Sequence, residues 1–459
     1  MIEGLKPYAE YKESGLPWLD TVPKHWDMAP NRALMRDQRH VVGARASDYT
    51  LLSLTLRGVI ARDMVNPKGK FPAQFNTYKV VKPDDFVFCL FDIDETPRGV
   101  GLSPLKGMIT GAYDIFSPTH RINPRFLYHY YLFVDEGKLM KPLYTGLRKT
   151  IQRGVFASLK APLPPPDEQA AIVRFLDHAN RKIDGFIRAK RKLIGLLNDQ
   201  KQAIIHRAVT RGLHPDVPLK PSGIPWLGDI PMHWEMRKLR QILTRKTERN
   251  QPNLPLLSVV REKGVIKRDT ENFEDNHNFI PDDLSNYKVV RVGQFAMNKM
   301  KAWQGSFGVS QFEGIVSPAY FVFDLHHVGG AFFHTAIRSK AYVPSFTRAS
   351  DGVRVGQWDL AESRMRDTPF FVPPPDEQQA IVEYVAKATE TANTAIARTE
   401  REIALMQEYR TRLTADLVTG KLDVREAARR LPDEAPLDTV EDDTDLSDET
   451  EAADEEAAV

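Results

Sequence analysis

Apolar residues return at spacings of four and three through residues 183–208, as Ile183, Ile187, Ile194, Leu197, Ile204 and Ala208, with Lys190 and Lys201 at the two polar places of the series. That period describes a helix whose apolar stripe faces a partner helix. A second stretch repeats it as Ala392, Ile396, Ile403, Met406, Leu413 and Leu417, with Thr399 and Arg410 at the same two polar places. Interruptions in matching register predict that the two helices pair along this seam. Pro164–Pro166 stops any helix upstream, and Asp167 is the predicted N-cap. A helix over 168–210 would be about 60 Å long. Gly185 and Gly195 weaken it somewhat. Gly212, followed by Pro215, Pro218 and Pro221, ends the first helix, and Gly420 ends the second. Ahead of each helix, short β-rich runs such as 86–91 and 319–323, punctuated by Gly and Pro, predict strand-rich mixed α/β domains.

The doubled helix belongs to a longer repeat. Ser14-Gly15-Leu16-Pro17-Trp18-Leu19 recurs as Ser222-Gly223-Ile224-Pro225-Trp226-Leu227. Pro23, His25, Trp26, Met28 and Arg32 continue the match with Pro231, His233, Trp234, Met236 and Arg240. Pro164-Pro165-Pro166-Asp167-Glu168-Gln169 recurs as Pro373-Pro374-Pro375-Asp376-Glu377-Gln378. Weaker echoes lie between, among them Lys79 with Lys288, Gly101 with Gly308, Ser103 with Ser310 and Gly107 with Gly314. The boundaries predicted are two similar domains at 14–163 and 222–372, helices at 164–212 and 373–422, and a linker at 213–221. The two domains share a fold but not their loop chemistry. Phe91-Asp92-Ile93-Asp94 stands where the second copy has Lys299 to Trp303.

Charge sharpens the picture. The chain of 459 residues is nearly neutral, but residues 433–459 hold thirteen Asp/Glu and no Lys or Arg. The rest carries 63 basic against 48 acidic residues, a net charge of +15. An acidic, disordered tail thus follows a basic body suited to a polyanion. A lone cysteine, Cys89, rules out a disulfide framework. The first twenty residues have no signal-peptide core, and the longest apolar run is far short of the ~20 residues of a membrane span. A soluble protein of a reducing compartment, the cytoplasm, is expected.

Catalytic signatures are missing. Neither a phosphate-binding G-x-x-x-x-G-K-[ST] nor a dinucleotide-binding glycine fingerprint occurs. His326, His327 and His334 lack partners at metal-ligand spacing and read as structural or surface residues. His25 and His233, within the repeated string, read as packing or capping residues, and its tryptophans as core or interface packing. Asp84-Asp85 with Glu136 and Lys138 gives only a loose likeness to a nuclease metal site, absent from the second copy. No catalytic or metal residue is assigned.

The candidate DNA-binding residues sit in the divergent regions. In the first copy they are Arg57, Lys68, Lys70, Arg98, Arg148, Lys149 and Arg153. In the second they are Arg261, Lys263, Lys267, Arg268, Lys299, Lys301, Trp303, Gln304 and Arg354. Lys and Arg neutralise phosphates, and Arg and Gln also bond base edges.

A SGxPWLxxxPxHW opening, a variable region, then PPPDEQ before a heptad helix, all given twice, resembles the specificity subunit of Type I restriction–modification enzymes. The resemblance spans residues 14–430. It implies two target-recognition domains, each reading half of a split DNA sequence, and an antiparallel coiled coil as spacer. It implies a subunit without catalysis of its own that recruits two methylation subunits and then restriction/translocase subunits. S-adenosylmethionine, ATP and Mg are expected in those partners and no cofactor in this chain. By the same likeness the PPPDEQ corners and coil faces dock the partners. The acidic tail is outside this pattern. Two rival readings are a coiled-coil adaptor that never touches DNA and a diverged stand-alone DNA methyltransferase or nuclease.

Overall fold

The computed structural model describes residues 5–63, 75–93, 95–146, 149–225, 227–268, 280–281, 283–352 and 358–432. The tail expected to be disordered, 433–459, lies outside them. The chain forms two compact units that divide within the long helices: one takes residues up to 189 together with 401–432, the other 190–400.

In the first unit a hairpin of Tyr11–Leu16 and Leu19–Pro23 leads to Asp27–Pro30, which pairs antiparallel with Lys160–Leu163. A four-stranded antiparallel sheet follows in the order Met35–Gln38, Asp114–Pro118, Phe86–Phe88, Val100–Leu102. Two more antiparallel pairs join Leu52–Thr55 to Gly58–Ala61 and Lys79–Val81 to Gly107–Ile109. The helix Pro124–Glu136 is capped by Asn123, whose side chain accepts from the backbone N–H groups of Arg125 and Phe126. Trp26, Phe88, Tyr131 and Phe156 form the core with Ile172 and Leu176 of the first long helix. Leu413 and Leu417 of the second long helix join the same core.

The second unit repeats these elements in the same order and adds a helix, Val343–Arg348, and a short strand pair, Ser350–Asp351 with Asp359–Leu360. Its hairpin is Leu219–Pro221 with Asp229–Pro231, and Glu235–Lys238 pairs with Pro369–Val372. Its sheet order is Leu243–Lys246, Phe321–Leu325, Phe295–Met297, Phe307–Val309. Leu257–Val260 pairs with Gly264–Lys267, Lys288–Val290 with Gly314–Val316, and Gly330–Ile337 is the equivalent helix. The mixed α/β architecture expected for each copy is present. The weak internal echoes have packing reasons. A Cβ on Gly107 or Gly314 would lie 2.4 Å from the carbonyl oxygen of Thr50 or Pro255, so both strands need glycine there. The Ser103 and Ser310 hydroxyls each close a turn onto a carbonyl two residues on, those of Leu105 and Phe312.

The long helices are Pro166–Arg211, of 46 residues, and Pro375–Val418, of 44. Their starts correct the predicted N-cap. The N–H groups of Glu168 and Gln169 both bond to the Pro165 carbonyl at 3.0 Å, so the helix begins at Pro166 and Asp167 is inside its first turn. Proline suits the first helical position because its fixed φ is helical and no N–H is needed there. Asp167 favours the positive end of the helix instead.

Every seam residue is shielded. In the first unit Ile183, Ile187, Leu413 and Leu417 are buried and Ile403 and Met406 half-buried. In the second, Ile194, Leu197, Ile204 and Ile396 are half-buried, while Leu193 and Leu196, off the seam, are exposed. Two polar places have local solutions. Arg410 bridges Asp184, and the buried Thr399 hydroxyl donates to its own helix at Ala395, 2.7 Å away. No helix among the described residues is long and apolar enough to cross a membrane.

Candidate nucleic-acid interface

The repeated motifs close on one another and fix where the divergent loops start. Trp26 Nε1–H donates to Glu168 Oε1 at 2.9 Å, and His25 Nε2 lies 2.9 Å from Glu168 Oε2. The Tyr8 hydroxyl donates to the same carboxylate. Burial and then that bond push the Tyr8 hydroxyl well above its ordinary pKa. In the second unit Trp234 Nε1–H donates to Glu377 Oε2 at 3.1 Å and His233 Nε2 lies 2.7 Å from it. The next residue is a clip. Gln169 donates to the Pro164 carbonyl at 2.8 Å and accepts from the Asn123 N–H at 2.6 Å. Gln378 does the same with Pro373 at 2.7 Å and Gly329 at 2.8 Å. Asn123 and Gly329 are the caps of equivalent helices.

Glu168 and Gln169 are buried and bonded inside the unit, so these two side chains hold the PPPDEQ corner together. His25 and His233, read as packing or capping residues, each lie on the carboxylate that the tryptophan of the same string also bonds, and the His25 ring packs 5.5 Å from that of Tyr8. Trp26 and Trp234 are core, Trp18 is half-buried and packs against the core of the first unit, and Trp226 lies outside the described residues.

In the first unit the structure brings Arg57 and Arg98 together. Arg57 is in the turn of the Leu52–Thr55/Gly58–Ala61 hairpin, and Arg98 donates to the carbonyl of the adjacent Leu56 at 3.3 Å. Lys149 pairs with Glu95 at 3.0 Å, and Arg153 with Asp114. Lys68, Lys70 and Arg148 lie outside the described residues. Asp85 accepts from the Lys82 N–H at 2.8 Å and from the Ser117 hydroxyl, and no group of three metal-ligating side chains exists among the described residues.

In the second unit Arg261 and Lys263 occupy the turn of the equivalent hairpin, whose Arg261 carbonyl accepts from Arg338 at 2.6 Å. Lys267 lies 5.4 Å from the Phe312 ring centroid. Arg268 is close enough to Tyr320 to oppose the rise that burial imposes on its hydroxyl pKa. Lys299, Lys301, Trp303 and Gln304 share one loop, ended by Gly305 at φ 95°. Lys299 pairs with Asp359 at 2.8 Å, and the Trp303 ring meets Trp358 at 5.2 Å between centroids. Trp358 is not among the residues predicted from sequence. Its one signal is that Trp303 and Trp358 are the tryptophans outside the repeated string. Arg354 lies outside the described residues. His326 and His327 are exposed, whereas His334 accepts from the Val309 N–H and is pushed down to about 4 by burial and then by Arg338.

Beneath these loops sits a buried lysine in each unit, also not predicted as a site residue. Lys79 and Lys288 donate to the carbonyls of Tyr113 and Tyr320 at 2.5 and 2.6 Å. Around them the charges trade places. The first unit surrounds Lys79 with Asp114, which binds Arg153 at the start of the helix Arg153–Ser158. The second has Phe321 at the Asp114 position and Glu362 at the Arg153 position. Glu362 binds Arg245, whose guanidinium lies 4.0 Å above the Phe321 ring centroid. Lys288 therefore lacks a strand carboxylate like Asp114, and Glu362 only partly offsets the cations around it. Burial, then Arg245, Arg249 and Lys299, pushes its amine down to about 8. One scaffold presents opposite electrostatic patterns at the same place.

No family model matches the chain. A stretch of 93 residues is 31% identical to the Type I restriction enzyme MjaVIII specificity subunit of Methanocaldococcus jannaschii. The match covers 20% of this chain and 20% of that relative's length. A solved structure from work on complex assembly and conformational transition of the type I R-M system aligns over 86% of this chain and 98% of its own, with a TM-score of 0.54 and 13% identity. The chain is similar to the specificity subunits of Type I restriction–modification enzymes. At that identity the structural likeness is one of fold. The HsdS subunit of Thermoanaerobacter tengcongensis aligns over 87% of this chain and 98% of its own, at 14% identity and a TM-score of 0.37. Between the two units, the Trp–Glu–His locks are the constant frame and the loops above Lys79 and Lys288 are what differs.

Proposed function

We propose that this chain is the DNA-binding specificity subunit of a Type I restriction–modification complex, working in the cytoplasm. It reads a bipartite, asymmetric target in duplex DNA and scaffolds two methylation subunits and the restriction/translocase subunits. Residues 14–163 and 222–372 are the two target-recognition domains. The helices of 164–212 and 373–422 form the antiparallel coiled-coil spacer of a pseudo-twofold repeat. The Asp184–Arg410 pair, and the approach of Gly420 to Trp26, support opposed helix directions within the first unit.

One observation carries this reading: two units with one strand order and one lock exchange the places of carboxylate and guanidinium around their buried lysines, beneath loops of different sequence. A frame held constant under variable loops suits two heads that read different sequences. Arg57, Arg98, Lys263 and Arg268 contact phosphates, which makes affinity fall with salt. Lys299, Lys301 and Gln304 beside Trp303 and Trp358 reach base edges in one half-site. S-adenosylmethionine, ATP and Mg serve the partner subunits, and this chain supplies recognition alone. The test is long-read mapping of methylated adenine in the native genome with and without this gene. A split, asymmetric motif should vanish on deletion. Unchanged motifs, together with no salt-dependent binding of any duplex, would refute the proposal.

A further inference from the structure

The first long helix carries a basic face where the second has glutamates. Along one face of the first long helix, at positions i, i+4, i+7 and i+8, stand Arg174, His178, Arg181 and Lys182. The equivalent positions of the second long helix are Glu383, Lys387, Glu390 and Thr391, all exposed. The frame therefore folds with glutamates where the first unit has two arginines, and the fold does not call for these cations. Burial first, and then Lys182, Arg181 and Arg174, hold the His178 imidazole below its ordinary pKa. Beside this face an open cavity of about 490 Å³ is lined by Arg174, Arg425, Arg429 and His25, with the carboxylates of Asp167 and Glu168 on its wall.

The described chain ends on the same surface. Arg174 Nη2 donates to the carbonyls of Leu431 at 3.0 Å and Pro432 at 3.1 Å. The next residues are Asp433 and Glu434, the first of thirteen carboxylates in the last 27 residues. We propose that the acidic segment 433–459 docks on its own chain, against the Arg174/His178/Arg181/Lys182 face and the adjoining cavity. Three facts select this occupant. The charges are complementary, the segment starts where the surface is, and the surface exists in one repeat only. A partner that binds both repeats alike would want the same charges on both. Tethering at Pro432 holds the carboxylates near at an effective concentration of order mM, so contacts that are weak singly add up. The docked segment screens the basic face from other polyanions.

Zero-length carbodiimide coupling of the full chain, read by mass spectrometry, tests this without DNA. At low salt Lys182 should couple to carboxylates of 433–459 roughly tenfold more often than Lys387, the exposed lysine of the equivalent second face. The preference should disappear in high salt, where the Debye length falls to about 3 Å. It should also disappear in the double variant Arg174→Glu, Arg181→Glu, which copies the second repeat and whose folding is checked by its thermal melt. Equal coupling to Lys182 and Lys387, no coupling at either, or a preference that survives the double variant would each overturn the proposal.

Discussion

Glu168 and Glu377 occupy the same place in the two repeats, yet their removal should cost different amounts. Glu168 has a side chain 3% exposed and accepts from Trp26 Nε1–H and the Tyr8 hydroxyl, both on buried residues. Glu168→Ala strands two buried donors, each at about 1–3 kcal/mol, for a total near 3–5 kcal/mol. Glu377 is 16% exposed and has one buried donor, Trp234, while His233 reaches water. Glu377→Ala should cost about 1–3 kcal/mol. A difference near 2 kcal/mol corresponds to about thirtyfold in the local opening equilibrium. Hydrogen exchange of the full chain, read by peptide mass spectrometry, measures both at once. Glu168→Ala should speed exchange in 19–35 and 160–176, and Glu377→Ala, less, in 227–243 and 369–385. Glu168→Gln keeps one acceptor oxygen but adds a donor among donors, so it should fall between wild type and alanine. Equal or larger acceleration in Glu377→Ala would refute the argument that buried donor count sets the cost.

Lys288 gives a pH prediction. Its folded pKa is about 8 and the unfolded value about 10.4, so above pH 8 the unfolded chain binds more protons and stability rises with pH. Lys288→Met should flatten that rise in urea midpoints followed by tryptophan fluorescence; an unchanged slope would contradict it. Replacing Lys299, Lys301 and Gln304 by alanine should alter methylation at one half-site only, and a uniform loss over all sequences would reduce them to phosphate contacts. Glycine position decides sign: a Cβ at Gly185 meets nothing within 4 Å, so Gly185→Ala should stabilise by up to about 1 kcal/mol. A Cβ at Gly420, at φ 74°, would lie 2.3 Å from Pro23 Cδ, so Gly420→Ala should destabilise in the same denaturation assay.

Much of the frame is legible in the residues themselves. The seam can be read because a helix imposes its period on neighbouring positions in the chain. The repeat can be read because both copies preserve the residues of one lock. What the lock is cannot be read. His25-Trp26 and Glu168 are more than 140 residues apart, and nothing local says that a PxHW string and a PPPDEQ string meet. The helix start falls two residues from its predicted place because Asp is a good N-cap in isolation, while three prolines in a row hand that role to Pro165. Among the site residues, Trp303 is marked by its neighbours in sequence, but Trp358 becomes its partner only across the fold. Arg153 reads as a free cation in sequence and is bonded to Asp114 in the structure.

By itself the sequence determined the repeat, the helical seam, the basic body and the acidic segment. Each is a property of residue type and spacing, which survives without coordinates. Tertiary structure alone decided which charges face one another: Glu168 with indole and phenol donors, Lys79 with Asp114, Lys288 without such a carboxylate, and Arg174 with the last described carbonyls. Pair energies depend on distance and burial, and two residues far apart in the chain acquire both only when folding brings them together.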